Sequence, residues 1–444
     1  MLLFLLIVSV LIIVVLTAKL NVHPFLALLV ASLFYGISTG MPLDVLITSI
    51  ESGFGDTLGK IGLVILLGVL IGAFLEQTGA AYKMAEFVLR IIGKKNVHAA
   101  MGILGYIVSI PVFADSGFII LNPLNKSLSK KANLSVAGTS IALILGLMLT
   151  HVMVPPTPGP IAAAGILDAD IGLVMVLGIA VSLLCLIVAI LYAQRVASKT
   201  YIDPNPDLTE EDIIEKTKSA PSIFKSFLPI VVPILLIISK SVLLFSMGDA
   251  AKDDFLIQLI SFLGSPLIAL LIGLLLAFTL PKKFDIAMLS EAGWTGKALQ
   301  SASTILLITG AGGIFGKILQ NSGIGDNMAQ LFEGIMIGIW LPFLLSAAIK
   351  TAQGSSTVAL ITTASIMAPL MASMGFDSEI LKALVVIAIG AGGLVVPHAN
   401  DSSFWVVTQL TGMNVKTGYN LYTRGAMIIG FFAAFVVFCI SLFV

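Results

Sequence analysis

The chain has 444 residues, of which 58% are hydrophobic and 11% are charged, and its 24 basic residues balance its 24 acidic ones. Soluble proteins carry about 25% charged residues, so this composition excludes a soluble domain and predicts an all-α polytopic membrane protein. The net charge of zero gives no indication of a nucleic-acid partner. The four histidines and two cysteines follow no metal or thiol-redox spacing. We therefore expect no metal, no cofactor and no nucleic-acid partner.

About ten apolar segments are long enough to cross a bilayer, which takes about 20 helical residues. The first lacks a basic leader, which predicts a retained span rather than a signal peptide. Three amphipathic segments, 43–58, 81–92 and 284–298, fit surface helices and ordinary loop helices equally well. The predicted spans are 2–18, 22–39, 60–77, 134–154, 171–193, 227–246, 264–280, 301–320, 378–396 and 422–444.

Two further apolar stretches are each interrupted by a short polar turn. Residues 97–130 turn at 114–117, and residues 334–374 turn at 350–357. Each arm is too short to cross the bilayer, which predicts two re-entrant hairpins. Irregular backbone at membrane depth is tolerated only where it is buried in protein or lines a water-filled cavity. Each hairpin tip is therefore expected at a binding site in the lipid bilayer.

The two halves of the sequence resemble each other. Three pairs of segments match in the same order: 72–79 with 316–323, Ser116 with Ser355, and 154–159 with 396–401. Each half has five spans, so the second half would enter the membrane from the opposite side, which predicts an inverted-topology repeat of the kind found in secondary transporters. The expected domains are a first repeat, 1–197, a cytoplasmic linker, 198–226, and a second repeat, 227–444.

The distribution of lysine and arginine sets the orientation, because loops on the inner side of a membrane carry the excess of basic residues. Most basic residues lie in inner loops when the N-terminus is placed outside. This predicts a multi-pass protein of the inner (plasma) membrane with both termini outside. The first hairpin would then open from the cytoplasm and the second from the outside.

The hairpin tips and two broken spans carry the candidate site. Four prolines within 155–160 end any helix there, and 390–401 forms a second break. Such breaks expose helix N-termini, which bind anions. We interpret His151 as a structural hydrogen-bonding residue and Glu76 as the end of its helix at the interface. The predicted substrate-binding residues are Ser116, Gly117, Thr157, Lys350, Gln353, Gly354, Ser355, Ser356, Thr357, His398 and Asn400.

Two carboxylates are candidates for proton coupling. Asp115 at the first tip would take up and release a proton, since intramembrane carboxylates are costly and mostly functional; capping the return helix is the alternative. Asp401 fits capping of the helix that begins near Ser403 equally well. Lys350 fits either attraction of a substrate carboxylate or a side chain that extends to the outer surface.

These tips and breaks resemble the gluconate permease (GntP) family of the ion-transporter superfamily, over nearly the whole chain. That family implies import of gluconate and related sugar acids or small hydroxy acids by proton symport. The superfamily implies a homodimer with a fixed scaffold and an elevator-like domain bearing both hairpins. The motifs are Gly40-Met41-Pro42-Leu43-Asp44, Phe113-Ala114-Asp115-Ser116-Gly117-Phe118, Pro155-Pro156-Thr157-Pro158-Gly159-Pro160, Ala352-Gln353-Gly354-Ser355-Ser356-Thr357-Val358-Ala359 and His398-Ala399-Asn400-Asp401 with Phe404-Trp405.

The substrate stays open at this point. Gluconate members tend to have Glu at the position of Asp115, Arg at Lys350 and His at Thr157, so glycerate, other aldonates or keto-aldonates, and D-serine are alternatives to gluconate. Sodium is an alternative coupling ion, because hairpin hydroxyls and carbonyls also suit Na⁺. An intramembrane hydrolase is a remote alternative, since the candidate nucleophiles Ser116 and Ser355 lack the G-x-S-x-G setting. A channel fits paired hairpins less well than alternating access does.

Overall fold

The computed structural model describes residues 1–93, 96–110, 112–204, 220–247, 255–324, 338–398 and 401–444. Every regular element in these ranges is helical. Six of the described helices are long and apolar enough to cross a membrane, or seven if a pair bent by 63°, Phe255–Leu263 with Pro266–Ala277, forms one span. Shorter apolar helices of 10–17 residues accompany them. The prediction of an all-α polytopic membrane protein is therefore confirmed.

The helices follow one another without strands between them in the described ranges. In the first half of the chain they are α1 (Leu2–Val14), α2 (Pro24–Ser38), α3 (Leu43–Gln77), α4 (Ala80–Ile92), α5 (Val97–Val108), α6 (Ala114–Lys131), α7 (Val136–Met153), α8 (Pro158–Ile166) and α9 (Ile171–Arg195). In the second half they are α10 (Ile223–Met247), α11 (Phe255–Leu263), α12 (Pro266–Ala277), α13 (Trp294–Asn321), α14 (Trp340–Gln353), α15 (Ser356–Met367), α16 (Glu379–Leu394), α17 (Ser402–Thr411) and α18 (Val415–Ser441).

The predicted separate helix at 43–58 is wrong. The structure has one continuous helix of 35 residues, α3, which starts after Pro42 and contains no proline. At 1.5 Å per residue it is about 50 Å long, well beyond a hydrocarbon core of about 30 Å. It packs along the other long helix, α13. That packing explains why the weakly amphipathic residues 43–58 stay helical and continue directly into the predicted span, 60–77.

Each predicted hairpin is a pair of helices joined by a short turn, and the first turns earlier than expected; re-entry into the membrane stays a prediction. Helices α5 and α6 are separated by 109–113, and α6 begins at Ala114, so Asp115 lies in its first turn. A carboxylate is stabilised there by the helix dipole, which explains why the helix starts before rather than after it. In the second hairpin, α14 and α15 are separated by Gly354 and Ser355. Residues 334–337 of that hairpin lie outside the described residues.

The two predicted breaks are also present. Helices α7 and α8 are separated by 154–157, and α16 and α17 by 395–401. The repeat relation and the domain bounds stay predictions, and most of the linker, 205–219, lies outside the described residues.

Close packing of α5 and α7 fixes the first hairpin in place. A side chain on Gly146 would overlap the carbonyl of Gly102, so the two backbones touch. Between α6 and α7, Asn125 Nδ2 donates to Ser140 Oγ at 2.8 Å, and both residues are buried. Small residues and interhelical hydrogen bonds are the usual means of joining helices in a membrane. The hairpin is thus held against the broken helix by backbone contact as well as by polar pairs.

Candidate functional site

The two hairpin turns, the second break and the part of α7 that precedes the first break meet around a cavity of about 370 Å³. This volume lies in the range of about 300–1,000 Å³ usual for small-molecule sites. We call it the central cavity. Its lining residues come from four parts of the chain that are far apart in sequence: Phe113, Ala114, Asp115, Met148, His151, Gly354, Ser355, Ser356, Thr357, Asp401, Ser402 and Ser403.

Three helices begin at the central cavity: α6 at Ala114, α15 at Ser356 and α17 at Ser402. The first N–H groups of a helix have no acceptor within the helix, and the helix dipole places partial positive charge there. Three such ends around one space form a site suited to an anionic group such as a carboxylate. This combination follows from the two hairpin turns and the second break, because each is followed by the start of a new helix.

Lys350 and Asp401 form a buried ion pair beside the cavity, with side chains only 1% and 5% exposed. The Lys350 ammonium donates to Asp401 Oδ2 and to the carbonyl of Gly354. The other carboxylate oxygen, Oδ1, accepts from the backbone N–H and the hydroxyl of Ser403, each at 2.8 Å. That hydroxyl also bonds to Tyr422 Oη at 2.9 Å. The pair therefore ties the second hairpin to α17 and α18.

This geometry decides two interpretations left open by the sequence. Lys350 is buried, which rules out the alternative that its side chain extends to the outer surface. The ammonium faces Asp401, which neutralises it. Asp401 caps α17, as the capping alternative stated, and it holds the lysine as well. Contact of Lys350 with substrate and proton coupling at Asp401 both stay predictions.

Asp115 is half-buried and lines the central cavity. Its Oδ2 accepts a hydrogen bond of 2.6 Å from the hydroxyl of Ser402, which joins α6 to α17 across the two halves of the chain. Because Asp401 is paired with Lys350, the carboxylate of Asp115 is the charge that faces the cavity among the described lining residues.

The second tip lies at the cavity as predicted. Gly354, Ser355, Ser356 and Thr357 line it. Gly354 ends α14 with φ +90°, a left-handed conformation that glycine adopts without strain. The hydroxyl of Ser356 donates to the carbonyl of Gly393 at 2.8 Å, so its oxygen can still accept. The side chain of Gln353 and the whole of Asn400 lie outside the described residues.

Four predicted site residues lie away from the central cavity. Ser116 lines a separate cavity, and Gly117 lies so close to Leu147 that a side chain there would overlap it. Thr157 is buried and its hydroxyl donates to the carbonyl of Val154 at 2.7 Å. His398 Nε2 bonds to the carbonyl of Thr351 at 2.6 Å, which braces the second hairpin. Their roles in binding stay predictions.

The sequence reading missed several lining residues. Ser402 and Ser403 follow the break, in the first turn of α17. His151 and Met148 lie one turn apart on α7, so they share a face. Nδ1 of His151 is buried and has no hydrogen-bond partner among the described residues, which leaves it available to a ligand. A rule that extends each break by one helical turn on either side would have found Ser402, Ser403 and His151, but not Met148.

Helices broken at membrane depth around a polar cavity are the architecture of a membrane transport protein. The chain belongs to the GntP family: the model for GntP family permeases matches residues 1–443. Its relatives include an inner membrane permease, YgbN, of Escherichia coli, 34% identical over 97% of this chain and 96% of the relative. The family resemblance, the permease class and the absence of enzymatic function are thereby confirmed, and the chain is a multi-pass inner membrane protein.

Relatives of similar identity carry different substrate names. A gluconate permease of Pseudomonas aeruginosa is 34% identical over 92% of this chain and 91% of its own length. A D-serine transporter, DsdX, of Escherichia coli is 34% identical over 95% of this chain and 94% of its own length. Among solved structures, the YdaH transporter of Alcanivorax borkumensis aligns with a TM-score of 0.60 and 16% identity over 90% of this chain and 89% of that one. That likeness concerns the fold alone.

Proposed function

We propose that this protein imports a small hydroxy- or sugar-acid carboxylate of the gluconate type by proton symport, with an elevator-type change of access in a homodimer. The observation that carries the proposal is the charge balance of the central cavity. Three helix N-termini favour an anion there, while Asp115 faces the same space.

A substrate carboxylate and an ionised Asp115 would repel each other in this cavity. Two unit charges about 5 Å apart repel by about 3 kcal/mol at an effective dielectric constant of about 20. A proton on Asp115 removes this repulsion and turns the carboxylate into a hydrogen-bond donor. The anion then binds best together with a proton, which is the requirement for symport.

The remaining polar lining suits hydroxyl groups. Ser355, Ser356, Thr357 and Ser402 contribute hydroxyls without net charge. Each hydroxyl can both donate and accept. A polyhydroxylated acid matches this lining better than an apolar acid does.

A second candidate is a zwitterionic amino acid such as D-serine. The ionised Asp115 would then pair with the substrate ammonium, while the substrate carboxylate occupies the helix N-termini. The D-serine transporter among the relatives supports this candidate. It requires no proton on Asp115, so the two candidates differ in their response to pH.

The test is uptake by the purified protein in liposomes, with labelled gluconate, glycerate and D-serine. An inward proton gradient should drive accumulation of an acid, and a protonophore should abolish it. Replacement of sodium by choline should have no effect. Accumulation of D-serine alone, independent of the proton gradient, would favour the zwitterion candidate instead.

The variant Asp115→Asn tests the role of Asp115 in proton coupling. The amide resembles the protonated acid in shape, so exchange of substrate across the membrane should continue while accumulation against a gradient is lost. Asp44→Asn, an exposed acid in the first turn of α3, is the control and should behave as wild type. Normal proton-driven accumulation by Asp115→Asn would remove Asp115 from coupling.

A further inference from the structure

A second polar cavity lies on the other side of the first hairpin tip. It has a volume of about 110 Å³ and is bounded by the end of α3, the start of α6 and the start of α13. Glu76, Ser116 and Ser301 are its polar side chains. A buried water needs about 10–15 Å³ of such space and two to four polar partners. The cavity, here called the Glu76 cavity, therefore has room for several waters and is much smaller than the central cavity.

Helix α3 ends at Gln77, so Glu76 lies at the end of its helix as expected, but it is not the residue that caps the helix. The cap is Thr78, whose hydroxyl donates to the carbonyl of Phe74 at 2.7 Å. Glu76 lies in the last turn of α3, where the helix dipole disfavours an anion. The half-buried carboxylate of Glu76 is therefore not stabilised by the helix that carries it.

Glu76 also lacks a compensating partner in the described part of the chain. Its backbone carbonyl accepts from the N–H of Gly79, but its carboxylate has no hydrogen bond and no ion pair among the described residues. Ser116 of α6 and Ser301 of α13 are the other polar side chains of the cavity, and no second titratable group lines it. Lys297 of α13 is exposed and lies outside the lining. Carboxylates at such positions in membrane proteins mark ion and proton pathways.

The first turn of α6 separates the two cavities. Asp115 lines the central cavity, and Ser116, the next residue, lines the Glu76 cavity. Successive helical residues point about 100° apart, so one turn presents a group to each side. Phe113 lines both cavities, so the two cavities adjoin at this residue.

We propose that Glu76 is a second proton-carrying residue, which receives the coupling proton from Asp115 by way of Ser116 and water and releases it on the predicted cytoplasmic side. This inference rests on the proposed proton symport. The protonated carboxyl of Asp115 loses H⁺ to the water and becomes a carboxylate. The carboxylate of Glu76 gains H⁺ and becomes a carboxylic acid, which then gives H⁺ to bulk water. The two carboxylates return to their starting states when Asp115 is protonated again with the next substrate.

The test uses the full chain in liposomes with labelled gluconate and a pH-sensitive dye inside. Positioned proton-transfer groups contribute factors of about 10²–10⁴, so Glu76→Gln should lower proton-driven uptake about a hundredfold. Exchange of gluconate for gluconate, which needs no net proton movement, and the thermal midpoint of unfolding should stay unchanged. Glu76→Asp should restore most of the uptake. Glu51→Gln makes the same change at an exposed site on the same helix and should have no effect.

The outcomes separate this inference from the proposed function. Wild-type protein that does not respond to a proton gradient overturns proton symport itself. If the wild-type protein responds to the proton gradient and Glu76→Gln takes up gluconate and protons as fast as Glu51→Gln does, only the role of Glu76 is overturned. Loss of exchange in a folded Glu76→Gln protein also overturns it, because the residue would then act on the substrate rather than on the proton.

Discussion

The buried pair of Lys350 and Asp401 gives a prediction about stability that can be worked from its contacts. Lys350→Met leaves the Asp401 carboxylate without its cation and the Gly354 carbonyl without its donor. Removing one partner of a buried pair costs about 3–5 kcal/mol. Asp401→Asn keeps the cap of α17, since Asn caps as well as Asp does, and leaves the ammonium unpaired at a similar cost.

The double variant Lys350→Met with Asp401→Asn should be more stable than either single variant. It has no unpaired charge, and its main loss is the donor to Gly354, which costs about 1–3 kcal/mol when a buried acceptor is left unsatisfied. The measurement is the thermal midpoint of unfolding of the four purified proteins in one detergent. A double variant that loses as much as the two single variants together would refute the reasoning.

The chain also contains an exposed ion pair that serves as a control for this comparison of single and double variants. Lys60 and Asp168 form an ion pair of 3.1 Å whose side chains are 58% and 78% exposed. Exposed pairs contribute about 0–1 kcal/mol. The same substitutions there, Lys60→Met and Asp168→Asn, should give small, additive changes in the thermal midpoint.

Two substitutions of glycine test the backbone around the site. Gly354→Ala should lower the thermal midpoint, because a φ of +90° costs a residue with a side chain roughly 1–2 kcal/mol. Gly55→Ala is the control: this helical position has open space around it, so the substitution should be neutral or stabilising. Equal midpoints for the two variants would contradict the argument. Gly146→Ala should push α7 away from α5 and lower both the midpoint and transport, whereas Gly62→Ala, whose nearest neighbour would be 3.7 Å away, should do neither. Unchanged transport in Gly146→Ala would show that the hairpin tolerates this separation.

The helical class and the hairpins were predictable from the sequence. In lipid, every backbone polar group must be satisfied inside the segment or by other protein groups, so a polar interruption in an apolar run stands out. That rule located the second tip, 354–357, and the Asp115 tip, which now line one cavity. It also separated Asp401 from ordinary loop residues, although it could not say whether the residue caps a helix or couples protons, and it did not indicate the pairing with Lys350.

The partners of these residues required the tertiary structure. Lys350 meets Asp401 across 51 residues, and Asp115 meets Ser402 across 287. No periodicity of the sequence indicates either pair, because both contacts depend on how helices from different parts of the chain pack together.

The sequence by itself therefore determined that the chain crosses a membrane as helices and where polar residues interrupt its apolar segments. Only the tertiary structure decided which charges cancel there, and that Asp115 and Ser116 face different cavities. The physical reason is that insertion in lipid is governed by local composition, which a sequence displays directly. The balance of charge in a cavity is governed by distances of a few ångströms between elements, which appear only once the helices have packed.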